Sequence, residues 1–165
     1  MKYFFDTEFI ERPYTIDLIS IGIVSENGKE FYALNRECNL DMASPWVIEN
    51  VLKPMPQYNP VTNYWKNSFD KYLLTKKEIA NEILSFIDNS PEFWAYYCSY
   101  DWVVFCWLYG AMIDLPKGWP MYCRDLKQEM DRLKIENIPI DNSNNHNALD
   151  DARWVKKSYE FIVNL

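Results

Sequence analysis

The chain has no apolar run long enough to cross a bilayer, which excludes a membrane-spanning helix of ordinary length. It has one histidine, and its four cysteines (Cys38, Cys98, Cys106 and Cys123) form no CxxC pair. The ligand set of a zinc site is therefore missing, and the thiols read as reduced and mostly buried. It also lacks a surplus of positive charge: 17 Lys and Arg stand against 24 Asp and Glu, a net charge of -7. That excludes a broad electrostatic footprint on duplex nucleic acid, which needs a basic face. A short contact stays open, because carboxylates that bind divalent cations place positive charge where a phosphate would sit. No repeat and no long linker divides the sequence. The start, MKYFFDTEF, carries charge too early for a signal peptide. These features predict a soluble, cytoplasmic protein with one domain over residues 1–165.

What the chain does have is apolar and aromatic residues, 48% and 17% of the whole, enough for a substantial core. Tyr3-Phe4-Phe5 opens a strand that turns acidic near its end. The isoleucine-rich stretch 16–25 (IDLISIGIVS) reads as a strand buried on both faces. Asn27-Gly28 is a hairpin signal, and 29–35 reads as the returning strand, completing an antiparallel meander. Ser44-Pro45 supplies a cap and a first-turn proline for a short helix. The proline-rich 54–60 reads as loop. Thr75 to Glu78 is a capping-box pattern that opens a helix with the stripe Ile79, Ile83, Phe86 and Ile87. A strand at 92–98, a helix at 101–112, a short strand at 121–123 and a helix at 124–134 follow. A polar, asparagine-rich loop at 136–147 leads to a last helix from about 148 onwards. Strands that alternate with helices imply parallel crossovers. The expected fold is α/β, a mixed sheet flanked by helices.

Asp6 and Glu8 in 5-FDTEF-9 lie two residues apart on a strand, so both side chains point to one face. Two such carboxylates repel unless a cation lies between them, or unless the strand end is simply exposed and hydrated. Asp101 follows the apolar 96–100 and heads the buried stripe Val104, Phe105 and Leu108; it reads as a helix N-cap or as a buried acid in need of a partner. In 146-HNALDDARW-154 two aspartates compete. The last helix has the core stripe Ala148, Ala152, Val155, Tyr159 and Ile162. At about 100° per residue, Asp151 lies about 60° from the centre of that stripe and Asp150 about 160° away. Asp151 therefore borders the core, while Asp150 faces water as a first-turn anion favoured by the helix dipole. His146, five residues before Asp151, is a surface histidine or a base for an attacking water. Four acids of this kind offer oxygen ligands, which suit Mg²⁺ or Mn²⁺, and two such ions are a standard device for phosphodiester hydrolysis.

DTEF near the start, Asp101 midway and HNALDDA near the end together resemble the DEDD superfamily of 3′→5′ exonucleases. The histidine-to-aspartate spacing is similar to its histidine branch, which includes RNase T, oligoribonuclease and proofreading exonuclease subunits. WAYYCSYDW and WPMYCRDLKQ resemble a small single-domain bacterial and phage exoribonuclease family within that branch. The resemblance covers nearly the whole chain. It implies an RNase H-like fold with a five-stranded mixed sheet. It also implies hydrolysis of single-stranded RNA or 3′ overhangs from the 3′ end to nucleoside 5′-monophosphates. Asp6 would bridge two ions (Mg²⁺ or Mn²⁺), Glu8 and Asp151 would complete the site, Asp101 would support the second ion, and His146 would be the general base. Phe9 and Trp102 stand open between base stacking and core packing, and Arg124 between a phosphate contact and a helix-start salt bridge. DNA trimming or proofreading is the alternative that the same acids would perform, and an inactive nucleic-acid-binding module is a third reading. The aromatic excess and the resemblance also leave room for a homodimer.

Overall fold

A computed structural model of the chain describes residues 1–67, 70–141 and 146–165. Residues 142–145 of the expected asparagine-rich loop lie outside the described residues. The sheet begins with three strands, β1 (Lys2–Arg12), β2 (Thr15–Ser25) and β3 (Glu30–Asn35), joined as an antiparallel meander. The Asn27-Gly28 turn closes as its residues require: Gly28 adopts φ +83° and its N–H donates to the Ser25 carbonyl at 2.9 Å. The described residues form a six-stranded sheet rather than the expected five. The two-residue β6 (Leu73–Leu74) pairs in parallel with β3, a contact too short to leave a periodic signal in the sequence. On the other side, β7 (Glu92–Ala95) runs parallel to β1, and β8 (Arg124–Asp125) runs parallel to β7. The order is β6-β3-β2-β1-β7-β8, a mixed sheet. The expected strand at 121–123 falls instead on residues 124–125. The segment 54–60, expected as loop, contributes β4 (Tyr58–Asn59), which pairs with β5 (Tyr64–Trp65) in a small hairpin.

Helices cover both faces. The capping box at Thr75 and Glu78 opens α2 (Lys76–Phe86), and α3 (Ser99–Trp107) follows β7. Ile79 and Ile83 of α2 and Val104 and Phe105 of α3 pack with Tyr3 and Phe5 of β1. The opposite face carries Phe4 and Trp94, covered by Leu126 and Met130 of α4 (Leu126–Leu133) and by Val155 and Ile162 of α5 (Ala148–Val163). Successive β1 residues thus point to different helix pairs, as a strand's period of two demands. A third cluster joins Ile10, Ile19 and Leu34 to Val51 and Leu52. It seats the helical turn α1 (Pro45–Val47), which continues as a π-turn over Ile48–Leu52. Helix α3 stops at Trp107, short of the expected residue 112; Gly110 at φ +122° turns the chain away, and Met112 falls in an exposed 3₁₀ turn. No helix among the described residues is long and apolar enough to cross a membrane.

Candidate active site

The acidic residues do not sit at the end of β1 but in the middle of its 11 residues. They mark the point where one neighbour runs out: β7 pairs with β1 only through Phe4. From Phe5 onwards the β1 edge on that side has no strand partner among the described residues. Asp101, in the first turn of α3, fills part of the gap. Its Oδ1 accepts from the Thr7 backbone N–H at 3.0 Å and from the Thr7 hydroxyl at 2.6 Å. Thr7 points to the α3 face, while Asp6 and Glu8 on either side of it point to the α5 face. A register shift between Glu8 and Phe9, where β2 carries an extra residue, bends the strand just past the acids.

Helix α5 brings the remaining acid. Asn147 caps its N-terminus, its side chain accepting from the N–H groups of Leu149 and Asp150. Asp151 reaches back over that turn, its Oδ2 accepting from the N–H groups of His146 (2.9 Å) and Asn147 (3.2 Å). Oxygens of Asp6, Glu8 and Asp151 lie within 4.8 Å of one another, close enough for one cation to touch all three. The approach depends on Gly22, which faces Asp6 across the β1–β2 ladder. A Cβ there would sit 2.4 Å from the Ala148 backbone and the Leu149 Cα, so only glycine lets the start of α5 press onto the sheet at this point.

The electrostatics follow from this crowding. Burial first, and then the charges of Asp101, Glu8 and Asp151, push Asp6 well above the usual carboxylate range. Burial and the neighbouring Asp151 and Asp101 push Glu8 up to about 8. Asp101 rises to about 6 through burial, although the two Thr7 hydrogen bonds pull it down. Such acids cannot all be charged at neutral pH without a counter-ion. The donor set is all carboxylate oxygen, which fits Mg²⁺ or Mn²⁺ and not a zinc centre.

The acids open into a cavity of about 400 Å³ that also receives Asp101 and His146. Its remaining walls include Phe9, Trp46, Tyr96 and Tyr97. The Trp46 ring meets the His146 imidazole edge-on, with centroids 4.9 Å apart. His146 (φ +70°) and Tyr97 (φ +56°) both hold left-handed backbone conformations that non-glycine residues rarely adopt. Such strain collects at functional sites.

A family model described as the Rv2179c-like 3′-5′ exoribonuclease domain matches residues 1–163. The chain belongs to this family. Two relatives from Mycobacterium tuberculosis, named 3′-5′ exoribonuclease Rv2179c (strain ATCC 25618 / H37Rv) and 3′-5′ exoribonuclease MT2234.1 (strain CDC 1551 / Oshkosh), are each similar at 35% identity over 167 residues. Each alignment spans 99% of this chain and 94% of the relative.

Five of the residues singled out in the sequence of this Rv2179c-like domain (Asp6, Glu8, Asp101, His146 and Asp151) come together in the one cavity, and Phe9 lines it too. Two others do not. Trp102 is 8% exposed and packs in the core, its ring stacked on Phe105 at 5.3 Å and its Nε1–H directed at the Met121 carbonyl. Its place on α3 follows from the stripe it shares with Phe105, which the neighbouring Asp101 obscured. Arg124 lies on the outer strand β8, where its Nε pairs with Glu92 at 3.5 Å. Asp150 does not simply face water: it pairs with Arg153 at 2.6 Å in a neighbouring cavity behind α5. Trp46, Thr7 and Gly22 went unread in the sequence. Trp46 follows the Ser44-Pro45 helix start, whose place beside His146 is a tertiary fact with no local signature. Thr7 and Gly22 stand next to or opposite Asp6, and the strand pairing that gives them their roles is the only signal that could have revealed them.

Proposed function

We propose that this chain is a 3′-5′ exoribonuclease of the histidine branch of the DEDD superfamily, on an RNase H-like frame. It would act on single-stranded RNA or 3′ overhangs and release nucleoside 5′-monophosphates. The observation that carries this reading is the convergence of Asp6, Glu8 and Asp151 within 4.8 Å, in a cavity shared with Asp101 and His146. The names of the relatives agree with it.

Asp6, Glu8 and Asp151 would hold divalent cations, with Asp101 in support. When bound, two such ions would offset the carboxylate repulsion, neutralise phosphate charge and stabilise the developing charge on the leaving 3′ oxygen. The protein's own part is positioning. His146 would take the proton of the attacking water as its oxygen bonds to the terminal phosphorus. The bond from phosphorus to the 3′ oxygen of the preceding nucleotide would then break, and that oxygen would leave as an alkoxide and take a proton from solvent water to become the new 3′ hydroxyl. The hydrogen bonds from the His146 and Asn147 backbone N–H groups tie Asp151 to the segment that carries the proposed base. Thr7 favours the ionised form of Asp101 by donating to it twice, against the effect of burial. Phe9, with Trp46 and Tyr97 on the other walls, offers apolar surface to the terminal base.

The test is a gel time course on 5′-labelled single-stranded RNA and matching DNA, with Mg²⁺, with Mn²⁺ and with EDTA. An Asp6→Asn variant runs beside the wild type. The expected result is an RNA ladder that shortens from the 3′ end, needs the cation and is absent in the variant. Faster loss of DNA would move the protein to DNA trimming, and no ladder on either substrate would leave a binding module.

A further inference from the structure

The cavity that holds the acids contains no lysine and no arginine among the described residues. This is unusual for a surface that must attract a polyanion, since single-stranded nucleic acid is commonly tracked by a basic groove with interleaved aromatics. Here the aromatics are present without the basic groove.

Five basic residues on the surrounding elements already have partners. Arg12, at the end of β1, donates to the Met42 carbonyl at 3.3 Å. Lys53, just after the π-turn, is paired with Glu49. Arg153 of α5 is gripped by Glu30 and Asp150, 2.6 Å from each. Arg124 of β8 pairs with Glu92, and Lys127 of α4 with Asp131. The segment 96–107, which supplies Tyr96, Tyr97 and Asp101, has no basic residue at all. The chain as a whole carries -7. Each nucleotide added upstream of the terminal one therefore brings another negative charge toward an acidic protein, with no lysine or arginine among the described residues of the cavity to meet it. The cavity is also small. Its roughly 400 Å³ lies near the low end of the range that encloses one drug-sized ligand, about 300–1,000 Å³.

We infer that the site engages only the 3′-terminal nucleotide and its scissile phosphate, so that the substrate class is RNA ends of any length, with oligoribonucleotides as short as two residues processed as efficiently as long strands. This rests on the exoribonuclease reading above. Recognition comes from the aromatic walls and from the cations held by the acids, and the upstream strand contributes no binding energy. Salt dependence follows from the same count. With a slope of about -0.7 per phosphate contacted, a fivefold rise in salt weakens a one-phosphate contact by about threefold, but a six-phosphate contact by about a thousandfold.

The test uses the wild-type protein with Mg²⁺ or Mn²⁺ and unstructured 5′-labelled RNAs of two, five and twenty nucleotides that share one 3′-terminal dinucleotide. The kcat/KM of the first cleavage is measured for each length, in about 50 and about 250 mM KCl. The expected result is agreement among the three lengths within about threefold, and a loss of no more than about threefold with salt at every length. A kcat/KM that climbs tenfold or more with length and collapses with salt would overturn the inference, by revealing a backbone-tracking surface outside the cavity. In that case the exoribonuclease reading would stand. No cleavage of any RNA with either cation would instead overturn the exoribonuclease reading, and this inference with it.

Discussion

Asp150 and Asp151 are neighbours in sequence, and α5 turns them into different cavities. Asp151 joins Asp6 and Glu8, while Asp150 joins Arg153 and Glu30. The 100° step between adjacent helical residues is enough to separate a member of the acidic cluster from an ion-pair partner. The two asparagine substitutions should therefore behave differently. Asp151→Asn removes one charge of the proposed cation site and alters the acceptor that holds the His146 backbone, and should lower kcat by about a hundredfold or more. Asp150→Asn leaves Arg153 its pair with Glu30 and should keep activity near wild type, with a stability change within about 1 kcal/mol. Initial rates and melting temperatures of both variants check this, and equal losses of activity would sink the assignment. If His146 is the general base proposed above, His146→Ala should cost about 10²–10⁴ in kcat without loss of fold, as read by circular dichroism. This part of the site was legible from sequence because helix periodicity and residue chemistry point the same way. Trp102 was misleading for the opposite reason. Its neighbour Asp101 suggested a site, but its own position on α3 directs the ring at Phe105 and Phe93.

At the scale of elements, local signals located what is local. The capping box at Thr75, the proline start at Pro45 and the Asn27-Gly28 turn all formed where the side chains require them. Pairing decided the rest. The strand expected at 92–98 ends at Ala95, because Tyr97 takes a left-handed conformation and the 97–98 N–H groups donate to Asp125 rather than to a strand. Strands of two residues, such as β6 and β8, exist only because a neighbour offers partners. No periodicity predicts them. Gly22 is the clearest case. Within 16-IDLISIGIVS-25 it looks like a weak point in a strand, yet it is the seat of α5. Gly22→Ala should push the helix start off the sheet and carry Asp151 away from Asp6 and Glu8. We expect a loss of stability of about 1–3 kcal/mol, as for other overpacked cores. Activity should fall further than stability explains, and added Mn²⁺ should restore only part of it. A variant with wild-type rates and melting point would mean that α5 is not seated by this contact.

At the scale of the molecule, three raised acids in a protein of net charge -7 store repulsion in the folded state. The sign of the consequence can be worked out. Glu8 titrates near 4.5 when unfolded and at about 8 when folded. Between those values the native state keeps a proton that the unfolded chain has lost. Stability must then fall as pH rises through this window, and level off above it. Asp6 acts in the same direction, and so does Asp101 between 3.8 and about 6. The acids that shift the other way, Glu26, Glu30, Glu78 and Glu129, contribute stability that is lost only as pH drops below their ordinary 4.5, so they do not disturb the window. In EDTA the melting temperature should therefore be lower at pH 8 than at pH 6. Mn²⁺ or Mg²⁺ should narrow that gap, since a bound cation replaces the missing protons and stabilises only the folded form. Glu8→Gln should melt higher than the wild type in EDTA at pH 8 while losing activity, because removing one charge relieves the others. A wild type in EDTA that is more stable at pH 8 than at pH 6 would show that these carboxylates do not meet as a repelling cluster. The acid site would then need a different geometry from the one that Gly22 and α5 impose.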